Sequence, residues 1–300
     1  MPRSLLGAAT LAACLAAKTA AQQPDSTLSR LQDRIARSGA AVALYYRDLA
    51  GDDSLVINAD VRFHAASTMK VPVMVQVFRD TRAGLLRMDS ALTVENRFRS
   101  IATDSSFALD PADDSDSSLY RMVGRPVRVR DLVELMITVS SNLATNVLLA
   151  AIGTDRIRAT MQELGADSLT VRRGVEDGAA FRAGLNNTTT ARALATVLAA
   201  IADGRAASAA DCATMLDVLA RQRINDAIPA GLPRHTRIAH KSGWIEGQHH
   251  DAAIVWVRGH PRYVLVVLTR GLADRAASAS LIADLARIVH THADPAARWR

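Results

Sequence analysis

Apolar residues form two kinds of pattern along the chain, and the two kinds occupy different regions. Apolar runs with the length and β-branched content typical of strands lie at residues 41–47 and 54–59, and again at 237–245, 250–257 and 263–269. Short turns separate the runs within each group, so we expect an early hairpin and a late antiparallel meander. Together the two groups predict a single sheet of five strands.

Helical periodicity dominates the part of the chain between these strands. An initial helix over residues 27–38 is indicated by Leu28, Leu31 and Ile35, which recur at helical spacing. Further helices are predicted from near Ser67, over 127–139, 143–152, 157–164, 191–202 and 208–221, and finally over 277–290. No convincing strand pair is indicated within this helical region.

The order of these elements predicts an α+β fold. The strands would form a five-stranded antiparallel sheet covered by the terminal helices, in an α/β sandwich with an all-α domain inserted between early and late strands. The predicted sheet domain comprises residues 22–65 and 222–300, and the all-α domain comprises residues 66–221. We expect the candidate site at the interface between them. With 300 residues and 49% hydrophobic content, the chain can bury a substantial core.

The first residues of the chain predict an export signal. A basic start is followed by an apolar run over residues 5–17 and by small residues, so residues 1–21 are interpreted as a signal peptide cleaved near Ala21. The mature protein would then be periplasmic or secreted. No later run approaches the roughly 20 apolar residues of a membrane helix, so no stable membrane insertion is expected. The alternative is a lipoprotein anchored at Cys14, which ends a Leu-Ala-Ala-Cys sequence that resembles a bacterial lipobox.

Composition argues against nucleic-acid, disulfide and metal-based functions. The formal net charge is +6 and aromatic residues make up 4% of the chain, but no basic run with interleaved aromatic residues is present. A nucleic-acid partner is therefore not expected. Cys212 is the cysteine that would remain after signal cleavage, so the mature chain could not form an internal disulfide, and no cysteine cluster indicates a metal. We expect no cofactor, and a monomer.

The first candidate for chemistry is a serine and lysine pair. Ser67 and Lys70 stand three residues apart at a predicted helix start, and this spacing places a hydroxyl and an amine on one face. The apolar residues that follow would bury this helix and make a neutral, proton-accepting Lys70 less costly. A serine nucleophile needs such a base. Because both residue types are common, the spacing also fits an ordinary capped, buried helix.

Two further triplets carry polar side chains in defined contexts. They are Ser140-Ser141-Asn142, between two predicted buried helices, and Lys241-Ser242-Gly243, on the first late strand. Taken alone, the first fits a helix cap and the second fits a strand with a glycine bulge. Together with the serine and lysine pair they follow the order S-x-x-K, S-x-N and K-S-G. With these motifs the sequence resembles the serine β-lactamase and penicillin-binding protein superfamily, and is closest to class A.

The resemblance implies covalent acyl transfer. Ser67 would attack an amide or β-lactam carbonyl, Lys70 would take or relay its proton, and Ser140 would pass a proton to the leaving nitrogen. The backbone N–H groups of Ser67 and Trp244 would stabilise the oxyanion. These assignments are implied by the family motifs.

The same resemblance implies how a substrate would bind. Asn142 would contact the side-chain amide of the substrate, and Gly243 would allow the substrate backbone to lie close to the strand. Lys241 would keep the surroundings of Ser140 positive. With Ser242 it would bind the acid group that penicillins and acyl-D-Ala peptides share.

Deacylation in class A enzymes depends on a loop glutamate that activates water. Glu176 is the candidate, because its distance from Ser140 along the chain is similar to that in the family. The family asparagine four residues later is replaced here by Ala180. Asn186 or Asn187 is then the alternative partner, although Asn187 equally fits a role at the base of the loop. Glu176 itself also fits a loop salt bridge.

One residue and two segments complete the set of candidates. Ser141 stands where the family usually has aspartate, and residues 104–118 form a loop rich in Asp and Ser. Residues 249–251, with the sequence His-His-Asp, resemble a metal cluster. Adjacent residues on a strand point to opposite faces, however, so a turn or surface role is expected for them.

The sequence therefore predicts a class A-like serine β-lactamase, a hydrolase that opens the cyclic amide of penicillins and cephalosporins. Its partner would be a small β-lactam or an acyl-D-Ala-type molecule. One alternative is a D-Ala carboxypeptidase or esterase-like serine hydrolase with poor β-lactam turnover. An alternative from another class is a non-catalytic binder of cell-wall fragments. The presence of all four polar motif residues, Ser67, Lys70, Ser140 and Lys241, disfavours this last hypothesis.

Overall fold

A five-stranded antiparallel sheet is the centre of the molecule. The computed structural model describes residues 26–297. Its strands are β1 (Ala41–Asp48), β2 (Ser54–Ile57), β3 (Phe63–His64), β4 (Ala91–Thr93), β5 (Phe98–Arg99), β6 (Ser106–Phe107), β7 (Pro126–Arg128), β8 (Thr188–Thr189), β9 (Ile238–Ile245), β10 (Gln248–Val257) and β11 (His260–Arg270). The main sheet has the order β2-β1-β11-β10-β9, which confirms the predicted pairing of early and late strands.

The helices lie at the two ends of the described chain and between β2 and β9. They are α1 (Thr27–Ala36), α2 (Lys70–Arg82), α3 (Val129–Thr138), α4 (Asn142–Ile152), α5 (Thr154–Glu163), α6 (Gly178–Arg182), α7 (Ala191–Ala202), α8 (Ala209–Ala220) and α9 (Arg275–Ala293). Each of the longer helices corresponds to a segment that hydrophobic periodicity predicts.

The sheet separates two hydrophobic clusters, because alternate residues of a strand point to opposite faces. On β11, Tyr263, Leu265 and Val267 belong to the cluster formed with α1 and α9. Their neighbours, which include Val264 and Val266, belong to the cluster formed with α2 to α5, α7 and α8. The sheet thus lies between terminal helices and inserted helices, which confirms the α+β prediction.

The helical region also contains strands that the sequence does not predict. Three two-stranded ladders pair β3 with β8, β4 with β7 and β5 with β6. The expectation of no strand pair in this region is therefore wrong. Strands of two or three residues are too short to show an alternating pattern. The β3 and β8 ladder matters most, because it fixes the chain just before Ser67.

The N-terminal predictions concern another part of the chain. The predicted signal peptide, residues 1–21, and the possible lipid anchor at Cys14 lie outside the described residues. Among the helices that are described, none is both long enough and apolar enough to cross a membrane. The proposed bounds of the two domains remain a prediction.

Candidate active site

Ser67 lies in a short 3-10 turn, Ala66–Met69, which leads directly into α2. The residue before it, Ala66, has φ +45°, a left-handed conformation that residues with a side chain rarely adopt. The Ala66 N–H donates to His64 Nδ1 over 3.0 Å and holds this bend. Pro72 is the third residue of α2, where a missing N–H is tolerated. The α-helix therefore begins at Lys70, three residues after the predicted start near Ser67, and the 3-10 turn carries Ser67.

Lys70 is the first residue of α2 and is fully buried. Its Nζ donates to the Ser140 carbonyl over 2.6 Å and to Asn142 Oδ1 over 2.7 Å, and lies 3.2 Å from Ser140 Oγ. Burial disfavours the charged amine and lowers the pKa of Lys70 to about 7, against the opposing influence of Asp114 and Glu176. An amine with a pKa near neutrality can accept or release a proton at physiological pH.

Ser140 lies between two buried lysines. Lys241 Nζ donates to Ser140 Oγ over 3.0 Å and to the Ser242 carbonyl over 2.7 Å. Burial and the positive charge of Lys70 lower the pKa of Lys241, while Asp251 opposes this shift. Ser140 itself has φ +60°, so this hydroxyl is presented from a strained turn.

Strand β9 passes very close to the Ser67 turn, and Gly243 makes this approach possible. A Cβ at position 243 would lie 2.8 Å from Ser67 N, 2.9 Å from Thr68 N and 3.2 Å from Ala66 Cβ. Side-chain carbons do not approach other atoms so closely, so the position requires glycine. The backbone of Trp244, the next residue, is thereby held beside the Ser67 turn.

Glu176 and Ser67 line the same cleft. Burial raises the pKa of the Glu176 carboxyl. Asn142 Nδ2 donates to Glu176 Oε1 over 2.7 Å and works against this shift. Glu176 also adopts a left-handed backbone conformation, with φ +63°. The Glu176 carboxylate accepts a hydrogen bond from an amide, and no ion pair with a lysine or arginine is found for it among the described residues. The salt-bridge alternative therefore has no support.

The segment around Glu176 is fixed by hydrogen bonds on both sides. Asn146 Oδ1 accepts from the Val175 N–H over 2.8 Å, and Asn146 Nδ2 donates to the Val175 carbonyl over 3.0 Å. Asp177 is buried and accepts from Ser100 Oγ over 2.7 Å. These bonds hold Glu176 in its strained conformation.

The two alternative asparagines serve the base of this loop. Asn187 Oδ1 accepts from the N–H groups of Arg172 and Arg173 over 2.8 and 3.1 Å, and its Nδ2 donates to the Arg173 carbonyl over 3.0 Å. Asn186 Oδ1 accepts from Arg173 Nη2 over 3.1 Å. Ala180 is buried. Among the described residues, no asparagine other than the one in the S-x-N motif forms a hydrogen bond with the loop glutamate.

The cleft combines an apolar wall with polar groups at its base. Its volume is about 470 Å³, and its lining includes Val175, Phe181 and Trp244. Both aromatic rings are exposed, Phe181 to 51% and Trp244 to 43%. Exposed aromatic rings at the mouth of a pocket are typical of sites that bind organic molecules.

A second pocket of about 270 Å³ adjoins Ser67 on the side of Ser140 and Ser242. Arg275, at the start of α9, also lines this pocket, and its Nη2 lies 3.1 Å from Asp226 Oδ2. Its guanidinium and two hydroxyl groups are donors that a carboxylate can accept from, although Asp113 and Asp114 also line the pocket. The sequence does not single out Arg275.

All the predicted site residues meet in these two pockets and in the buried hydrogen bonds between them. They are Ser67, Lys70, Ser140, Asn142, Glu176, Lys241, Ser242, Gly243 and Trp244.

Comparison with known proteins identifies the family. The model of the β-lactamase enzyme family matches residues 27–293. The chain belongs to the β-lactamase enzyme family. The β-lactamase of Amycolatopsis lactamdurans is 26% identical over 278 residues, which are 91% of this chain and 87% of that protein. The β-lactamase of Streptomyces albus G is 27% identical over 258 residues, 84% of this chain and 80% of that protein.

Solved structures place this β-lactamase family member in the class A-like superfamily. PBP-A is 26% identical, has a TM-score of 0.76 and is matched over 89% of this chain and 95% of its own. An ancestral (GNCA) class A β-lactamase is 25% identical, with a TM-score of 0.77 over 89% and 100% of the two chains. These similarities confirm the predicted superfamily, its fold, and the enzyme class of a hydrolase acting on β-lactams.

Within this β-lactamase family member, Asp114 is a site residue that the sequence does not single out. Its carboxylate accepts from the backbone N–H of Asn142 over 2.9 Å and from that of Leu143 over 3.0 Å. The Tyr120 hydroxyl donates to the same carboxylate over 3.0 Å. The N-terminus of α4 favours a negative charge at this position. The acidic composition of residues 104–118 is the one sequence signal for this contact.

The helix-cap interpretation applies to the middle residue of the S-x-N motif. Ser141 is the N-cap of α4, and its Oγ accepts from the Ala144 N–H over 3.3 Å. The outer two residues are therefore free for other contacts. Ser140 reaches the lysines, and Asn142 reaches Lys70 and Glu176.

Residues 249–251 are buried, so the expectation of a turn or surface role for them is wrong. Each forms a hydrogen bond with a different part of the molecule: His249 with Ser278 Oγ, His250 with the His64 carbonyl, and Asp251 with His240. Helices cover both faces of the sheet, so polar side chains on β10 are buried and need internal partners.

Proposed function

We propose that the protein hydrolyses the β-lactam amide of penicillins and cephalosporins through an acyl-enzyme on Ser67. One observation carries the proposal: two fully buried lysines, Lys70 and Lys241, both lie within 3.2 Å of Ser140 Oγ, beside a serine at a helix start. Burial of two amines around one hydroxyl has a large desolvation free energy. Such an arrangement is typical of sites that transfer protons.

Acylation would use Ser67, Lys70 and Ser140 in sequence. Ser67 Oγ forms a bond to the β-lactam carbonyl carbon and gives its proton to neutral Lys70. The carbon–nitrogen bond then breaks, and the nitrogen takes a proton from Ser140 Oγ. Lys70 then donates a proton to Ser140 Oγ and becomes neutral again. The Ser67 hydroxyl forms no hydrogen bond with the described residues, so its contact with Lys70 would form when substrate binds.

Deacylation would use Glu176. The carboxylate takes a proton from water, the water oxygen bonds to the acyl carbon, and the bond to Ser67 Oγ breaks as the proton returns to the serine. The raised pKa of Glu176 makes it a better proton acceptor in its ionised form. Asn142 would orient the carboxylate through its bond to Oε1.

The cleft and the similar proteins support β-lactams as the substrate class. The apolar wall of the cleft, with Phe181 and Trp244, would bind the acyl side chain of the substrate. Arg275 and Ser242 would bind its carboxylate. Two similar proteins are named β-lactamases. One similar structure, that of a PBP-A variant with a single substitution, is an acyl-enzyme complex with penicillin G. We also propose that the protein acts after export, in the periplasm or outside the cell, as a monomer.

A second candidate function is that of a D-Ala carboxypeptidase or esterase-like hydrolase with slow β-lactam turnover. Ala180 favours it, because the family's water-binding asparagine is absent at that position and the side chains of Asn186 and Asn187 are hydrogen-bonded to Arg172 and Arg173. A slow second step would leave the acyl-enzyme long-lived.

Steady-state hydrolysis tests the proposal against this alternative. The protein is incubated with a chromogenic cephalosporin and, separately, with an acyl-D-Ala-D-Ala peptide. Sustained turnover of the cephalosporin at a rate well above that for the peptide supports a β-lactamase. Release of D-Ala with a single stoichiometric burst from the cephalosporin favours the carboxypeptidase. No reaction with either substrate refutes both.

The pH dependence of acylation should follow Lys70. Below its pKa of about 7 the amine is protonated and cannot accept the Ser67 proton, so the acylation rate should fall as pH decreases, with a midpoint near 7. Rapid-quench measurements of adduct formation with benzylpenicillin provide this profile. A rate that stays constant well below the midpoint would contradict the role of Lys70 as base.

Substitution of Gly243 by alanine should reduce kcat/KM by about 100-fold or more, because the new Cβ would displace the Ser67 turn that carries an oxyanion donor. A matched control is Gly51→Ala, where the nearest atom to the new Cβ is Asp48 Oδ2 at 4.0 Å. The control should retain wild-type kcat/KM. Activity of Gly243→Ala within about threefold of wild type would contradict this close approach.

A further inference from the structure

We propose that Asp114 is a positioning residue for acylation: its carboxylate holds the Ser140–Asn142 turn against Lys70 and stabilises the ammonium that Lys70 becomes when Ser67 attacks. This inference rests on the proposed function, because it assigns Asp114 a part in that reaction. Asp114 would act through the turn and through charge, without contacting the reacting atoms.

The turn is held from two sides by consecutive residues of one loop. Asp114 accepts from the N–H groups of Asn142 and Leu143. On the other side, Ser115 Oγ donates to the Val139 carbonyl over 2.7 Å and lies 3.1 Å from the Ser140 carbonyl. The loop therefore binds the backbone immediately before and after the motif.

This support is needed because the turn is strained. Ser140 has φ +60°, a conformation that residues with a side chain rarely adopt and that persists only when its surroundings enforce it. The same turn presents the carbonyl and the amide oxygen to which Lys70 Nζ donates. Displacing the turn would therefore displace the base as well as the proton donor.

No acid lies within the motif itself, because its middle residue is the N-cap Ser141. Asp114 brings a carboxylate to this turn from a loop that lies before β7 and α3 in the chain. The carboxylate is fixed by the Tyr120 hydroxyl as well as by two N–H groups of α4. A carboxylate held by three donors is preorganised to stabilise a nearby positive charge.

Three ionisable groups interact electrostatically with the Lys70 amine. Asp114 comes from the acidic loop, Glu176 from the loop before α6, and Lys241 from β9. Both carboxylates raise the pKa of Lys70 against the effect of burial, and the Asp114 influence is the larger of the two. When Lys70 accepts the Ser67 proton, a negative charge at Asp114 compensates the new positive charge in a buried site.

The test is the pH profile of acylation by benzylpenicillin, measured by rapid quench and mass spectrometry for wild type and Asp114→Asn. Loss of the carboxylate lowers the pKa of Lys70, so the acid limb of the profile should move to lower pH by about half a unit or more. The amide oxygen of asparagine can still accept from the two backbone N–H groups, but an uncharged acceptor holds the turn less strongly, so the plateau rate should fall by about tenfold. A merely structural role would lower the plateau and leave the acid limb in place.

Two further variants separate the effect of the Asp114 charge from that of a change in the loop. Asp114→Glu retains the charge, so its acid limb should stay at the wild-type position even if the plateau falls. Asp116→Asn removes an equal charge from the same loop, where Asp116 accepts from Ser118 Oγ over 2.6 Å and not from the Ser140–Asn142 turn. Its acid limb should also stay at the wild-type position.

An acid limb that does not move in Asp114→Asn, or that moves equally in Asp116→Asn, would overturn the inference. Both outcomes would leave the proposed function intact, because the wild-type protein would still form its adduct. Absence of any adduct in the wild type would instead refute the proposed function.

Discussion

Substitution of Ser67 by alanine should abolish β-lactam hydrolysis, with a loss of at least about 10⁴-fold in kcat, because no bond to the substrate carbonyl can then form. The fold should be unaffected. The Ser67 side chain is only half-buried, and no hydrogen bond to the described residues is lost with it. Hydrolysis of a chromogenic cephalosporin gives the rate, and thermal unfolding gives the stability.

A serine away from the cleft provides the matched control. The Ser90 hydroxyl donates to the Arg87 carbonyl over 2.8 Å in an exposed turn, so Ser90→Ala removes an equal group and should retain full activity. Hydrolysis by Ser67→Ala at more than a few per cent of the wild-type rate would show that another nucleophile operates.

Substitution of Glu176 by glutamine should trap the acyl-enzyme. The amide oxygen of glutamine can still accept from Asn142 Nδ2, so the loop should keep its conformation. An amide cannot take a proton from water, however, and deacylation should slow by about 10²- to 10⁴-fold. Stopped-flow measurement should show a burst of one equivalent of product followed by a slow steady state, and the acylation rate should stay near that of wild type.

A glutamate in a surface ion pair is the control for this experiment. Glu134 accepts from Arg221 Nη2 over 2.6 Å and is not among the residues that line the cleft, so Glu134→Gln should show no burst. Wild-type steady-state turnover by Glu176→Gln would show that a different group activates the water. A burst in the wild-type protein itself would favour the slow-turnover alternative.

The fold could be predicted where the sequence pattern is long. The strands of the main sheet are up to 11 residues in length and alternate between two apolar clusters, so their pattern stands out. The ladders of two or three residues cannot show a period, and they exist because neighbouring elements bring the segments together. The burial of residues 249–251 was also beyond prediction, because polar residues are buried only when distant partners are available.

The site could be predicted where the motif residues are also the contacting residues. The S-x-x-K spacing predicts the helix entrance, and the S-x-N and K-S-G triplets supply the groups around Lys70. Asp114 could not be predicted in the same way, because its contact with Asn142 spans 28 residues and depends on the path of an acidic loop. Arg275 is a comparable case, since it enters the site from the final helix.

Backbone strain is concentrated at the site. Three of the six non-glycine residues with positive φ in the described chain are Ala66, Ser140 and Glu176. They are the residue before the proposed nucleophile, the proposed proton donor and the proposed deacylation base. Each is held by specific hydrogen bonds, and the packed structure around them supplies the free energy that these conformations cost.

The proposed reaction requires a covalent acyl-enzyme on Ser67 that forms and then decays. The most direct test is intact-mass kinetics with benzylpenicillin, followed by peptide mapping of the adduct. We expect an added mass equal to one intact penicillin on the peptide that contains Ser67, transient in the wild type and persistent in Glu176→Gln. Absence of any adduct in both proteins, or an adduct on a different residue, would contradict it.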